Sequence, residues 1–338
     1  MDDAIGGNVG NLNRAAFEVR KGIRPVLTLS EADVEKYLDA KELLDALEDG
    51  FRGLELGEVQ APPRPQVTVP GKGFSLTMSA WRPGMQVTVK VVNVFDGNLA
   101  RDLPSHLALI TLYDPETGAA SCVMDGTYLT GVRTAATAAL SIRMLSRPEA
   151  RVATVIGAGV QGHEHLRLLP LVRDFDRIHV CSLRLADAER LAACSPIARG
   201  TADVEAAVRE SDVVCLATHA GVPVIEADWV KPGAHVTSVG YHPPDGELPK
   251  GLARAHRLFV ETLDAFQPVP VGCGELAGLD PSTGTTLGAL ALGRRPGRLR
   301  ESEITVYKGM GLSLEDMVAA NLAYQRAKQA GGGGMMSW

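Results

Sequence analysis

Residues 152–169 read VATVIGAGVQGHEHLRLL. An apolar run ends at Gly157, and a helix-patterned segment follows at once. Gly157, Gly159 and Gly162, with Ala158, Val160 and Gln161 between them, make G-x-G-x-x-G between a strand and a helix. In that context the first glycine permits a tight turn, the second lets backbone approach a diphosphate, and the third lets helix and strand pack closely. The N-terminus of the helix then offers unpaired N–H groups to the phosphates. The stretch predicts a dinucleotide-binding βα turn, with Gly157, Ala158, Gly159, Val160, Gln161 and Gly162 as its contacts.

The surrounding chain has the texture such a turn requires. From residue 151 strand-like and helix-like segments alternate: RVATVIG, QGHEHLRLLPLV, RIHVCS, LADAERLAAC, ADVEAAVRESDVVCLAT and AHVTSVG. Repeated βα units imply a parallel, doubly wound sheet, and residues 146–309 are assigned to it. The strand RIHVCS runs into Ser182, Leu183 and Arg184, with no acid before Asp187. An NAD-preferring site usually places Asp or Glu there for the ribose 2′-hydroxyl. Ser182 and Arg184 instead suit a 2′-phosphate, so the expected cofactor is NADP, with NAD the alternative. Thr218 and His219, after one strand, and Val239, closing another, would border the nicotinamide end.

The 338 residues exceed one ordinary core. Residues 1–24 read as an arm. SEADVEKYLDAKELLDALEDGFRGLELG has helical spacing with Ser30 as N-cap. RPQVTVP, FSLTMSAW, QVTVKVVNVF and HLALITLYD follow as strands, which argues for an antiparallel or mixed sheet. GTYLTGVRTAATAALSIRMLS is an Ala-rich helix ended by Pro148. The last helix, SLEDMVAANLAYQRAKQA, returns to this first unit, so residues 25–145 and 310–330 form one discontinuous α+β domain. Residues 331–338, opening with GGGG, are expected to be a flexible tail.

Composition removes several functions. A net charge of −6 argues against sequence-independent nucleic-acid binding. No apolar run of about 18 residues is present to span a membrane, and the N-terminus lacks a signal-peptide core. The five cysteines (122, 181, 194, 215 and 273) show neither disulfide nor metal spacing, which points to a cytoplasmic chain without a metal. His163 and His165 stand two apart on the cofactor helix and face differently, so they do not suggest a metal pair.

Three cations keep unusual company. Lys90 interrupts the apolar QVTVKVVNVF, Arg133 lies among small residues in YLTGVRTAATAAL, and Arg64 stands between prolines in PPRPQ. A cation in an apolar segment needs an anion. Each fits an internal ion pair, while three together beside a dinucleotide domain fit a pocket for a substrate carboxylate.

With KVVNVFDGN, LPSHLALITLYDPETG, MDGTYLTGVRTAATAALS, VIGAGVQGHEHL and ITVYKGMGLSLEDMVAANLAYQRA in view, the chain resembles the ornithine cyclodeaminase/mu-crystallin family, which includes alanine dehydrogenases and ketimine or cyclic-imine reductases. The resemblance spans roughly residues 25–330. It implies that Arg64, Lys90 and Arg133 bind a substrate α-carboxylate, that Ser105 lies near substrate or nicotinamide, and that two copies assemble through the first domain's sheet. Lys308, in VYKGMG, falls where the family often has Ser.

One stretch departs from the family. In its cyclodeaminases a strand ending in glycine is followed by Ala-Asp, and that aspartate is the catalytic acid/base. Here AHVTSVGYHPPDGELPK, residues 234–250, places Tyr241-His242 there. An imidazole passes protons near neutral pH, so His242 is the candidate replacement, with Asp245 the other. Simple imine reduction needs a held carboxylate, a hydride and one proton, which is less than cyclodeamination asks. The expected activity is an NAD(P)-dependent oxidoreductase acting at the C–N bond of an α-imino or α-amino acid. Cyclodeamination of ornithine or lysine, and non-catalytic NADPH binding, are the alternatives.

Overall fold

The computed structural model describes residues 25–337; the expected arm at 1–24 lies outside them. The chain opens with β1 (Val26–Leu29), α1 (Glu31–Tyr37) and α2 (Ala40–Glu55), where one helix was expected. The break has a local cause. Ser30 and Asp33 form a capping box at the start of α1. Leu38 is extended (φ −99°, ψ 90°), and the Asp39 carboxylate accepts from Glu42 N at 2.8 Å to start a second helix. Leu43, Leu44, Leu47 and Phe51 form the buried stripe of α2.

Strands β2 (Gln66–Val69), β3 (Gly73–Ala80), β4 (Val87–Val94), β5 (His106–Tyr113) and β6 (Ala120–Asp125) follow, then α3 (Thr127–Leu145). The predicted strands are all present. No residue of α3 is exposed and most are buried, which suits its small side chains and its place between the two halves.

The second half contains β7 (Val152–Ile156), α4 (Val160–Leu168), β8 (Arg177–Cys181), α5 (Leu185–Ala192), β9 (Ala198–Thr201), α6 (Val204–Glu210), β10 (Val213–Leu216) and β11 (His235–Ser238). It continues through α7 (Lys250–Ala255), β12 (Arg257–Val260), β13 (Gly284–Thr286), α8 (Leu287–Ala291) and β14 (Thr305–Lys308). The chain ends with α9 (Ser313–Ala330) and β15 (Gly334–Met336).

Two sheets result. One has the order β13-β12-β14-β11-β10-β7-β8-β9 and every pairing in it is parallel: the doubly wound arrangement read from the sequence. The other, β15-β1-β6-β5-β4-β3-β2, is mixed, with β1 parallel to β6 and its remaining pairs antiparallel. The expected flexible tail is corrected here. Gly331 closes α9 at φ 63°, a conformation glycine adopts freely, and Gly334–Met336 pairs with β1.

The mixed sheet has two apolar faces. Its inner rows, Met78–Lys90–Ile110–Met124 among them, pack on α1, α3 and α9. Its outer face exposes Val67, Val69, Val91, Leu107 and Leu109. One buried apolar cluster runs from Leu43 and Phe51 through α3 to Val155 and Ile178, so both halves share a core. No helix among the described residues is long and apolar enough to cross a membrane.

Candidate active site

In an open parallel sheet, ligands bind at the carboxyl ends of the strands where strand order reverses. Here β7 is followed in sequence by β8 and β9 on one side and by β10 and β11 on the other, so that point lies between β7 and β10. The glycine turn sits there. Gly157 has φ 117°, and a Cβ on it would stand 2.2 Å from Ala217 O. A Cβ on Gly162 would stand 1.9 Å from Gly157 O, whereas one on Gly159 would meet nothing within 4 Å. Two glycines are thus required by packing, and the third opens space. The first turn of α4 lacks a side-chain cap, which leaves its N–H groups available. Ala158 is half-buried and Val160 is exposed. Gln161 Nε2 donates to Gly131 O at 3.2 Å, fastening the turn to α3. The residues present fit a dinucleotide diphosphate.

Beyond β8, Ser182 is half-buried while Leu183 and Arg184 are exposed. Arg184 Nε lies 2.6 Å from Asp187, which also pairs with Arg190. One carboxylate shared by two guanidiniums leaves this rim with surplus positive charge.

The sequence reading missed the group that ties together the carboxyl ends of β10 and β11. Glu247, fully buried, accepts from Thr218 N and Oγ1 (both 2.6 Å), Ser238 Oγ (2.9 Å), Val239 N (3.1 Å) and Gly240 N (2.7 Å). It therefore draws together the ends of β10 and β11. Thr218 and Val239 are both held by it at the carboxyl ends of these strands. Lys308 is equally buried and donates to Ser238 Oγ at 3.1 Å and to Glu275 Oε1 at 2.8 Å. Burial opposes its charge, but Glu275, Cys273 and Glu247 together outweigh that and raise its pKa. The signal for both was present: an acid and a lysine bracketed by apolar residues, the pattern that singled out Lys90.

The three cations do converge, though not as a bare anion pocket. Lys90 points from β4 into α9, its Nζ 2.7 Å from the Asp316 carboxylate. Arg133 reaches the same helix, with Nη1 2.7 Å from Glu315 Oε2 and Nε 3.0 Å from Asp316 Oδ1. These internal pairs were one of the two possibilities left open by the sequence. Arg64 differs: its Nη1 donates to the carbonyls of Met310 (3.0 Å) and Gly311 (3.2 Å). It lines a cleft with Met78, Glu261, Thr262, Met310 and Leu312. Glu261 is anchored beside it, accepting from Tyr307 Oη (3.0 Å), Met310 N (2.9 Å) and Gly311 N (3.0 Å).

Burial, then the nearby Glu261 carboxylate, pushes the Glu315 carboxyl well above the usual carboxylate range. Burial first, and Arg133 second, brings Lys90 down to about 8. Asp316 and Glu315 raise Arg133 despite its burial. Arg64, Lys90 and Arg133 thus share this region with the carboxyls of Glu261, Glu315 and Asp316. The cleft beside Arg64 is its open side.

The turn after β11 adjoins the cleft. Tyr241 lies within the electrostatic reach of Arg64, which partly offsets the rise that burial imposes on its phenol. His242 is half-buried, and its Nδ1 is enclosed without a hydrogen-bond partner. Asp245 pairs with Lys250 at 2.6 Å, so it serves the turn. Ser105 Oγ, just before β5, lies 3.1 Å from His106 Nδ1. Among the described residues no group of His, Cys, Asp or Glu is arranged to hold a metal ion.

Comparison with known proteins places this architecture. The family described as "Ornithine cyclodeaminase/mu-crystallin family" matches residues 25–331. Ketimine reductase mu-crystallin of Mus musculus is 33% identical over 305 residues, 88% of this chain and 96% of that protein. Alanine dehydrogenase of Archaeoglobus fulgidus is 30% identical over 309 residues, covering 89% and 95%. Among solved structures, Δ1-pyrroline-2-carboxylate reductase of Thermococcus litoralis, in complex with NADH and L-proline, superposes with TM-score 0.84 at 31% identity, covering 91% of this chain and 99% of that one. An archaeal alanine dehydrogenase dimer with bound NAD gives 0.86 at 29%, covering 93% and 100%.

Proposed function

The chain belongs to the ornithine cyclodeaminase/mu-crystallin family, and from that premise we propose that it is an NAD(P)-dependent oxidoreductase acting at the C–N bond of an α-imino or α-amino acid. The carrying observation is the cleft lined by Arg64, beside the buried Lys90–Asp316 and Arg133–Glu315 pairs, with Tyr241 of the turn after β11 within its electrostatic reach. Arg64 grips the substrate carboxylate. Lys90 and Arg133, tied to α9, set the field behind it, and Ser105 is assigned a place near substrate or nicotinamide by the family resemblance.

When bound, the nicotinamide dinucleotide supplies or accepts the hydride at the substrate carbon. Gly157 to Gly162 hold its diphosphate, and Thr218 and Val239, drawn in by Glu247, border its far end. Ser182 and Arg184 take a 2′-phosphate, which makes NADP the preferred form. His242 gives the substrate nitrogen its proton in the reductive direction. Most of the rate comes from holding the reactants side by side. Two copies assemble through the outer face of the mixed sheet. With all five cysteines free, the cytoplasm suits the chain.

The test is NADPH oxidation by purified protein with a panel of cyclic imino acids, NADH in parallel, and ammonia release from L-ornithine with NAD⁺. Steady NADPH loss on an imine supports this reading. Ammonia without net change of the cofactor replaces it with cyclodeamination, consistent with the likeness to a lysine cyclodeaminase structure (TM-score 0.81, 25% identity). Tight NADPH binding without turnover of any acid leaves a binding protein.

A further inference from the structure

His242 has a neighbour that nothing in the motif pattern ties to it. His219, in the loop after β10, sits with its ring 4.8 Å from that of His242, edge to face at 73°. The His106 ring lies 6.4 Å beyond, and His219 Nε2 is 3.7 Å from Asp96 Oδ1. Three imidazoles and a carboxylate thus line the rim from the end of β4 to the turn after β11. His219 and Asp96 are exposed, while the Nδ1 of His242 is enclosed. Gly221 makes the pairing possible, since a Cβ there would stand 2.8 Å from His242 Nδ1 and 3.2 Å from Cε1.

We infer that His219 is a proton-relay residue that recharges His242 from solvent after each turnover, acting through His242 rather than on the substrate. The inference rests on the proposed role of His242. In the reductive direction the imine carbon gains a hydride, and the nitrogen gains a proton from His242, which becomes neutral. With Nδ1 walled off by Gly221, the exchanging nitrogen is Nε2. Once product leaves, the protonated His219 returns a proton to it, directly or through one water, and solvent protonates His219 in turn. Atoms and charge balance as imine, NAD(P)H and one proton giving amine and NAD(P)⁺.

Asp96 is the carboxylate facing His219. His106 is itself lowered by burial and then by His219, with Lys90 a further cation acting on it. On the turn, Asp245 and Lys250 neutralise each other.

The test compares wild type with His219→Gln and Gly221→Ala. His219→Gln should lower the reductive kcat at least tenfold at pH 8 and less at pH 6, with the imino-acid KM and the NADPH Kd within about twofold. Added imidazole should restore kcat saturably, which a purely structural defect would not allow. Without cofactor, the NMR titration of the His242 ring should be displaced in His219→Gln, and Gly221→Ala should displace it too. A His219→Gln enzyme with wild-type kcat and pH profile, or an unmoved His242 titration, overturns the relay while leaving the oxidoreductase intact. A wild type that turns over no imino acid instead sinks the reading of the site, and the relay with it.

Discussion

Lys90 Nζ stands 2.7 Å from the Asp316 carboxylate, and neither side chain reaches solvent. Asp316 also takes Arg133 at 3.0 Å, so one carboxylate contacts two buried cations, Arg133 having Glu315 as a second partner. Removing one partner of such a pair typically costs about 3–5 kcal/mol, because the other charge stays buried. Asp316→Ala should therefore destabilise more than Lys90→Met, which leaves Asp316 bound to Arg133. The double variant should recover part of the loss. Urea unfolding of the three proteins measures this, and strict additivity would show the pair to be uncoupled.

Gly159 and Gly162 separate binding from folding. Gly159→Ala adds a methyl where nothing lies within 4 Å, at an ordinary φ of −87°. The melting temperature should hold while the NADPH Kd rises at least tenfold. Gly162→Ala drives a methyl onto Gly157 O and should lower both stability and affinity. Fluorescence titration with thermal melts distinguishes them, and equal affinity in Gly159→Ala would remove the diphosphate from this turn.

Arg184 reports on the 2′-phosphate. Its side chain is 79% exposed and shares Asp187 with Arg190, so Arg184→Ala should leave the fold alone. It should weaken NADPH about tenfold, the worth of one charge-assisted contact of about 1.4 kcal/mol, and NADH hardly at all. An equal effect on both cofactors would mean that Arg184 does not discriminate.

Leu109 is 52% exposed on the outer face of the mixed sheet, beside Val91 in register. An apolar face of this kind on an antiparallel sheet calls for a cover. Leu109→Lys should halve the particle mass in light scattering. A wild-type protein that is already monomeric would end the proposed assembly.

Two buried histidines set the acid limit. His235, between Ser141 Oγ (3.1 Å) and Thr305 Oγ1 (2.8 Å), is brought by burial down to about 3. His165, bound to Gln161 O at 2.7 Å, is brought by burial down to about 4. Both sit below the unfolded value of about 6.5, so between these limits the unfolded chain binds more protons than the folded one. Stability should fall as pH drops below 6.5, by up to about 1.4 kcal/mol per unit for each group. His235→Gln should flatten the slope between pH 4 and 6, and an unchanged slope would place acid sensitivity elsewhere.

What the sequence made legible was what local physics controls. The glycine spacing placed a turn that only a strand–helix junction accommodates, and β7 with α4 confirmed it. Period-two patterns found β2 to β5. Lys90 and Arg133 stood out as cations without visible partners, but the partners lie 226 and 182 residues away on α9. Glu315 and Asp316 carried a signal of the same kind, two acids in an otherwise buried helix, which the reading of SLEDM passed over. The helix break at Leu38 turned on a second N-cap at Asp39 that periodicity does not register. The glycine run at the C-terminus looked flexible by composition, yet an open edge at β1 gave it a partner. His219 and His242 meet only because β10 and β11 are neighbours in space, which no spacing in the sequence states.

The position of α9 has a consequence for how the chain is made. Domains generally fold as they emerge, from the N-terminus onward. Here β4 and α3 leave the ribosome carrying Lys90 and Arg133, and their counter-charges are still uncoded chain. The mixed sheet must wait, with two ammonium and guanidinium heads in water, while the entire dinucleotide-binding sheet is synthesised and folds. Only when Glu315 and Asp316 arrive can those heads turn inward and the first half close. The half synthesised first is therefore the half completed last, and a ribosome stalled before α9 would hold a finished cofactor fold joined to an unfinished partner.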